Sequence, residues 1–416
     1  MNMAKLLNIL FSNQAIIFLC ISTALMTTGQ GVAVPMVPLF ADSFGISAGQ
    51  IGLAVSAFGL ARFITNIPAA LISDSKGRKA VLVGGPIIGA IGNGLSGFAS
   101  NLPTLLVFRF IAGIGSAAFI TGGVAFISDI SRLENRAKMM SIFQGSFLVG
   151  ISIGPVLGGT IAEFWGLRAP FIVVAILSFS SGIWAFFRVP ETLKKTENKL
   201  QKKENSIGKH ESANFLINYA FLFKKNLLLI SLTFAGTFFT RGGAFFTLLP
   251  LKASRELVLS EGKVGGFLTL SSIFTFVMVP FVGIFSDSYG RKTVIVPGLI
   301  VFAFSLVLLG YSQDLLLFGI GMILYGVAQG LEGPAPIAYV SDITSNDNQA
   351  VAQSFARSIG DFSLLSAPPL MGALSDMIGT DYTLYANAFL MMAISLTFMV
   401  FAWDPIRNPR AINKKH

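Results

Sequence analysis

The chain has 416 residues, 53% of them hydrophobic and 12% charged, with a formal net charge of +10 and a mean hydropathy of +0.72. A soluble domain carries about 25% charge, so this chain cannot coat a water-facing surface, and with 39 Phe, 43 Gly, 2 His and 1 Cys it reads as a polytopic α-helical membrane protein rather than a disulfide scaffold, a zinc protein or a histidine-based enzyme. The excess of Lys and Arg then points first to the bias of membrane proteins toward a basic cytoplasmic face, not to nucleic acid.

A membrane span needs roughly 20 mostly apolar residues. Twelve such segments follow one another: 15–40, 50–72, 80–100, 103–127, 139–162, 169–189, 227–250, 264–286, 293–311, 315–340, 350–375 and 381–402. The opening MNMAKLLNIL carries one Lys and no small-residue cleavage site follows, so the first span is expected to stay in the membrane. With the N-terminus placed in the cytoplasm, twenty-two of the 30 Lys and Arg fall at cytoplasmic ends, nine of them between Arg188 and Lys225. Arg168, Lys252, Arg255 and Lys263 fall in outer loops, and Arg62, Arg109, Arg241 and Arg357 within spans. This asymmetry predicts an even number of spans in a cell membrane, with both termini cytoplasmic.

The longest polar stretch, 190–226, contains KKTENKLQKKENSIGKHES and is expected to be a cytoplasmic linker with a short surface helix at NFLINYAFLF. It separates a six-helix bundle over 1–189 from a second over 227–416. The halves repeat. SDSKGRK at 73–79 returns as SDSYGRK at 286–292, an offset of 213 that also relates Gly113 to Gly326, SDI at 128–130 to SDI at 341–343, Pro155 to Pro368 and Gly159 to Gly372. Repeated six-span halves with a binding site between them are a known transporter plan.

In the repeated loops, Gly77 and Gly290 permit a tight turn between two spans. Arg78 can reach Asp129 at the end of span 4, and Arg291 can reach Asp342 in the same way. A cluster of Asp74, Gly77, Arg78 and Asp129, with its copy Asp287, Gly290, Arg291 and Asp342, would form in one gate state only and so bias the access equilibrium. In span 5, Gly150, Gly154, Gly158 and Gly159 put small residues on one face for close helix approach, with Pro155 bending the helix. GIGSAA at 113–118 satisfies a loose dinucleotide pattern, but no strand precedes it and it lies inside an apolar span.

A charge at mid-bilayer costs about 2.5–3.5 kcal/mol on insertion scales, so ionisable residues inside spans need a partner or a task. Glu332 lies roughly 15 Å and Asp361 roughly 18 Å in from the cytoplasmic face, at 1.5 Å per helical residue. Low dielectric disfavours a carboxylate's charged form, which suits proton coupling, and with His210 in the linker and His416 terminal a relay must use Glu332 or Asp361. Arg357 and Asp361, four residues apart, can instead pair along one helix. GPAP at 333–336, directly after Glu332, is a broken-helix signature that can line a cavity. Arg109 and Arg241 can bind an anion or pair with the carboxylates, Arg62 lies in the middle of span 2 where it is not simply an anchor, and Gln30, Gln144 and Gln329 are candidate cavity liners. Phe238, Phe239, Phe245 and Phe246 are candidates for an aromatic wall.

Four segments resemble the major facilitator superfamily. ALISDSKGRK (70–79) is similar to its loop signature G-x-L-x-D-R-x-G-R-R, departing at Ala70 and Ser75, while GIFSDSYGRK (283–292) keeps Gly283. LLVFRFIAGIGSAA resembles the span 4 arginine motif, with Arg109 as its arginine. GISIGPVLGG (150–159) fits the antiporter pattern G-x-x-x-G-P-x-x-G-G, and GQGVAVPMVP (29–38) resembles the span 1 signature of twelve-span drug/proton antiporters. The resemblance implies an all-α fold of twelve transmembrane helices in two pseudo-symmetric six-helix bundles, with Arg109 near a proton pathway. The placing of Glu332 and Asp361 also resembles that of vesicular amine transporters. The expected function is alternating-access transport of a small organic molecule, as proton-coupled export. The alternative is an importer or anion transporter whose substrate is held by intramembrane Arg. The expected partners are the substrate, protons and the lipid bilayer, for a monomer without cofactor, metal, nucleic acid or catalytic constellation.

Overall fold

The computed structural model describes residues 14–131, 135–193, 220–345 and 348–404. Lys5, Arg132, linker residues 194–219 with His210, and the tail from 405 lie outside the described residues. Of the segment expected to form a surface helix, Ala220–Phe223 makes one 3-10 turn and the rest lies outside them.

Among the described residues twelve helices carry the fold, and each answers to one expected span. They are α1 (Gln14–Asp42), α2 (Ala48–Lys76), α3 (Arg78–Ser96), α4 (Leu102–Ile130), α5 (Arg136–Trp165) and α6 (Ala169–Arg188). The second six are α7 (Lys225–Arg255), α8 (Glu261–Tyr289), α9 (Lys292–Tyr311), α10 (Leu315–Ile343), α11 (Gln349–Ile378) and α12 (Thr380–Phe401). Among the described residues there is no strand, as a bilayer demands of any segment that must satisfy its own backbone groups. Ten of the helices are long and apolar enough on their own terms to cross a membrane; α3 and α11 complete the set, α11 carrying Gln353, Arg357 and Asp361 along its length. Much of the exposed surface is apolar, with Ile67, Phe187, Phe285 and Phe389 among the exposed side chains.

Local chemistry sets the helix starts. Ser47 and Gln50 form a reciprocal capping box at α2. Asn101 accepts from the Thr104 amide at 3.0 Å, and Asp314 accepts from the Leu317 amide at 2.8 Å. Gly77 and Gly290 take φ of +106° and +101°, where a side chain would be strained, and so turn α2 into α3 and α8 into α9. Two helices are irregular. In α7 the stretch Arg241–Leu248 is π-helical, and α10 breaks between Leu331 and Pro334.

The two bundles superpose on the offset of 213 in their contacts as well as in sequence. Gly113 lies against the Phe58 backbone and Gly326 against the Ser271 backbone; Gly159 lies against Glu261 and Gly372 against Ala48; Gly265 lies against Pro155 and Gly52 against Pro368. The first pair packs α4 on α2 and α10 on α8 inside each half. The other two pack α5 on α8 and α2 on α11, joining the halves about a pseudo-twofold axis.

The end that carries the α2–α3 and α8–α9 turns is the linker side, and the opposite end is the far side. The hydrogen bonds that join the halves cluster toward the far side. Asp376 accepts from the amides of Ala48 and Gly49 at 2.8 Å each, the Val156 amide donates to Thr269 Oγ1 at 2.9 Å, and Arg255 pairs with Asp42. These contacts hold the two halves together at the far side. One expectation is corrected here. Lys252 and Arg255 are not loop residues, because α7 continues through them. Lys252 is 1% exposed, pairs with Glu256 at 2.8 Å and also with Asp381, and donates to the Gly310 carbonyl at 3.3 Å.

Candidate functional site

Ionisable residues of both halves gather in mid-membrane. Arg62 on α2 and Arg109 on α4 share one aromatic ring, their guanidinium carbons 6.0 and 4.7 Å from the Phe58 centroid. Arg109 is 6% exposed and donates to Asn93 Oδ1 of α3 at 3.2 Å. Arg241, where the π-helical stretch begins, lies 5.5 Å from the Phe246 centroid. Arg62 faces Asp361, Arg357 and Arg241 of the other half closely enough for their charges to act on it. Among the described residues, none of these four arginines makes an ion pair, nor do Glu332 and Asp361. The Arg357–Asp361 pair expected as one possibility is therefore not formed. The Nε atoms of Arg62, Arg109 and Arg241 are out of solvent contact and lack hydrogen-bond partners.

Glu332 stands at the break in α10. Proline cannot continue the ladder, so the sequence GPAP ends the first segment, with Glu332 as its C-cap. Both carboxylate oxygens are shielded and without a partner, and the carboxylate packs against Gly298 of α9, where a Cβ would overlap it. Glu332 borders a cavity of about 520 Å³ that also meets Arg241, Arg357, Gln329, Gln353 and the rings of Phe234, Phe238 and Phe302. Its walls come from α7, α9, α10 and α11, so this polar cavity lies inside the second half rather than between the halves. A larger cavity, of about 610 Å³, does lie between them, bounded by Leu53, Leu60, Leu106, Phe110 and Leu365. Its walls carry no charged side chain, so the chemistry belongs to the smaller one.

The remaining candidates divide. Gln329 accepts from Thr275 at 3.2 Å and reaches the polar cavity. Gln30 donates to Ser116 Oγ at 2.9 Å, tying α1 to α4, and Gln144 is exposed on α5. Of the expected aromatic wall, Phe238 lines the polar cavity, whereas Phe245 stacks on buried Tyr325 at 5.2 Å. Asp361 and Glu332 face different neighbours, Arg62 across the halves and Gly298 within one.

On the linker side, Arg78 Nε donates to Asp129 at 2.9 Å, its Nη1 donates to Ser73 at 3.1 Å, and it pairs with Asp74. Arg291 does the same with Asp342 at 2.7 Å, Ser286 at 3.1 Å and Asp287. Each cluster is completed by a carboxylate that sequence reasoning missed. Glu191 accepts from the amides of Arg78 and Lys79 at 3.0 and 3.1 Å, and Asp404 accepts from the Lys292 amide at 3.3 Å. Both fill the niche beside a glycine, Gly77 or Gly290, and place negative charge at a helix N-terminus. The signal was available: an acidic residue follows span 6 and span 12 at the same offset of 213. Burial alone pushes the Glu191 carboxyl up, but the amides of Leu193, Arg78, Lys79 and Thr192 outweigh it and hold its pKa below the ordinary value.

The glycine motif of α5 serves two partners rather than one. Gly150, Gly154 and Gly158 lie against α1, at Thr28, Gly31 and Val32, while Gly159 meets Glu261 of α8. Pro155 lies inside α5 without ending it, and its carbonyl faces Gly265.

Comparison with known proteins agrees with this architecture. The chain is 23% identical over 376 residues to an uncharacterized MFS-type transporter of Methanocaldococcus jannaschii, covering 90% of this chain and 93% of that one. It is 24% identical to Multidrug resistance protein 2 of Bacillus subtilis, with 92% and 93% covered. It is also 24% identical to the Quinolone resistance protein NorA of Staphylococcus aureus, with 93% and 95% covered. Among solved structures, the fold matches nucleoside transporter NupG with a TM-score of 0.74 at 16% identity, over 94% of this chain and 100% of that one. It matches an inward-facing bacterial homolog of the human lysosomal transporter Spinster with a TM-score of 0.73 at 16% identity, over 92% and 94%. These relatives and neighbours are transporters, not enzymes. The profile of the Major Facilitator Superfamily matches residues 19–257 and 237–416, and with that span covered the chain belongs to this superfamily of multi-span membrane transporters.

Proposed function

We propose that the protein exports a small organic molecule in exchange for protons by alternating access, with the linker side cytoplasmic. The observation that carries this reading is Glu332: a carboxylate with no partner for either oxygen, at a helix break, on a polar cavity. A proton is the smallest ligand that relieves a buried carboxylate, and a substrate that competes for the same oxygens is exchanged for it. Asp361, facing Arg62 of the other half, is the second proton carrier and links protonation to the approach of the halves. Arg109 tunes this relay from α4. The Arg78 and Arg291 clusters control the linker-side gate, and the far-side contacts of Asp376 and Arg255 hold the opposite gate shut. The basic loops support a cytoplasmic linker side in a cell membrane. Drug-resistance names among the relatives support export.

The experiment is flux in vesicles containing the purified protein, with a pH-sensitive dye inside, challenged with a panel of quinolones and organic cations under an imposed pH gradient. Exchange predicts that flux of a transported compound rises with the gradient, and that Glu332→Gln abolishes the dependence while leaving the protein folded. If no transported compound responds to the gradient, proton exchange is wrong.

A second reading, import or exchange of an anion held by arginine, is favoured by one observation: four arginines against two carboxylates in mid-membrane, with none of them ion-paired among the described residues. Thermal-shift screening of anions and cations, comparing Arg241→Ala with Asp361→Asn, separates the two. Loss of anion stabilisation in Arg241→Ala alone selects the anion transporter.

A further inference from the structure

Two unsatisfied poles of opposite sign belong to residues that border the polar cavity of the second half. At one pole, neither Glu332 oxygen has a donor. At the other, Arg241 Nε has no acceptor, and Arg357 makes no ion pair although its side chain reaches the same cavity. The two poles do not neutralise each other, since no ion pair within 4 Å joins Glu332 to either arginine among the described residues. Arg241 is held beside the Phe246 ring, an attraction that fixes a cation without consuming its hydrogen bonds. Phe234, Phe238 and Phe302 form the apolar wall.

Buried polar atoms without partners are costly, and a ligand that supplies the missing partners recovers that cost. An organic cation serves Glu332 but leaves Arg241 unserved and meets two like charges. An organic anion serves the arginines but faces the Glu332 carboxylate. A molecule that carries both charges on an apolar frame serves both poles at once. The geometry points to an aromatic amino carboxylate as the substrate class, with its ammonium at Glu332, its carboxylate at Arg241 and Arg357, and its ring against the three phenylalanines. This rests on the reading of the polar cavity as the substrate site and deepens it. The ammonium and the proton compete for the same carboxylate, which is the condition for exchange. The arginines then select against simple lipophilic amines, by the asymmetry in which a site built for a polar group rejects the analogue lacking it.

Two sets of ring isosteres test the assignment by direct calorimetric titration of the full-length protein in detergent. The first set is phenylalanine, 3-phenylpropionate and phenethylamine, which share one ring and carry both charges, the anion alone or the cation alone. The second is 4-(aminomethyl)benzoate, 4-methylbenzoate and 4-methylbenzylamine, which sets the charges at opposite ends of the ring. The expected result is that at least one zwitterion binds tenfold or more tightly than both of its singly charged counterparts. Glu332→Gln should then remove its advantage over the anion, and Arg241→Gln its advantage over the cation. If neither zwitterion outbinds both counterparts in the unmodified protein, the assignment is overturned, whatever the variants do. The wild-type comparison needs no variant to fold and no pH gradient. Failure here with gradient-driven flux intact therefore removes the substrate class alone, and the reverse result removes the coupling alone.

Discussion

Two adjacent glycines on α8 offer an internal control for the claim that α5 and α8 seal the far side. A Cβ added to Gly265 would overlap the Pro155 carbonyl and sit 3.1 Å from Gly159 Cα, whereas one added to Gly266 meets nothing within 4 Å. Both substitutions to Ala gain about 1 kcal/mol of helix propensity, and they gain it in every conformation, so this contribution cancels from the access equilibrium. The overlap at Gly265 does not cancel. Overpacking of this kind costs about 1–3 kcal/mol and falls only on the state in which α5 and α8 touch. Gly265→Ala should therefore shift the population away from the far-side-closed state by about 5–150-fold, and Gly266→Ala should leave it unchanged. The measurement is electron–electron double resonance between spin labels at Ser43 and Val258, on the far-side turns of the two halves, in a background with Cys20 replaced by Ser. Gly265→Ala should move the distance distribution to longer values. Identical distributions for Gly265→Ala and the unmodified protein would refute the packing argument, and so would an equal shift in Gly266→Ala.

Three further outcomes follow from particular contacts. Removing one member of a buried ion pair costs about 3–5 kcal/mol. Because Glu256 and Asp381 are 38% and 35% exposed, Lys252→Met should lose about 2 kcal/mol in thermal unfolding, partly restored by Asp381→Leu in the same chain. Glu191 has a pKa held below the ordinary 4.5, so its contribution to stability is complete above that value and is lost as pH falls through the lowered one. The stability difference between the unmodified protein and Glu191→Gln should accordingly be constant well above the ordinary carboxylate range, shrink as pH falls through it, and disappear only below the lowered pKa; a difference independent of pH would contradict the amide contacts. Gly298→Ala places a methyl where the Glu332 carboxylate packs. It should displace that side chain at a cost of about 1–3 kcal/mol, read as loss of gradient-driven flux with retained monodispersity in size-exclusion chromatography.

Much of the linker-side chemistry is legible in the amino-acid sequence, because it is written twice. The pairs Arg78–Asp129 and Arg291–Asp342 are readable from two loops at one offset. The break at Glu332 is readable because proline leaves a helix no alternative. The partners of the intramembrane arginines are not legible. Asn93 beside Arg109 and Phe58 beneath two guanidinium groups are ordinary residues of apolar spans, and only the rotation of α2 and α3 about their axes turns them inward. Asp376 reads as a loop-side acid on α11, yet it caps α2, 328 residues away.

Hydropathy and charge are properties of each segment taken alone. The number of helices, the duplication and the basic linker therefore follow from composition along the chain, since a bilayer penalises every misplaced polar group wherever its neighbours lie. Which end is sealed, whether a cavity lies between the halves or inside one, and which buried charges are left without partners depend on how twelve helices are turned and brought together. Those are contacts between residues hundreds of positions apart, and a linear pattern of residue types carries no record of them.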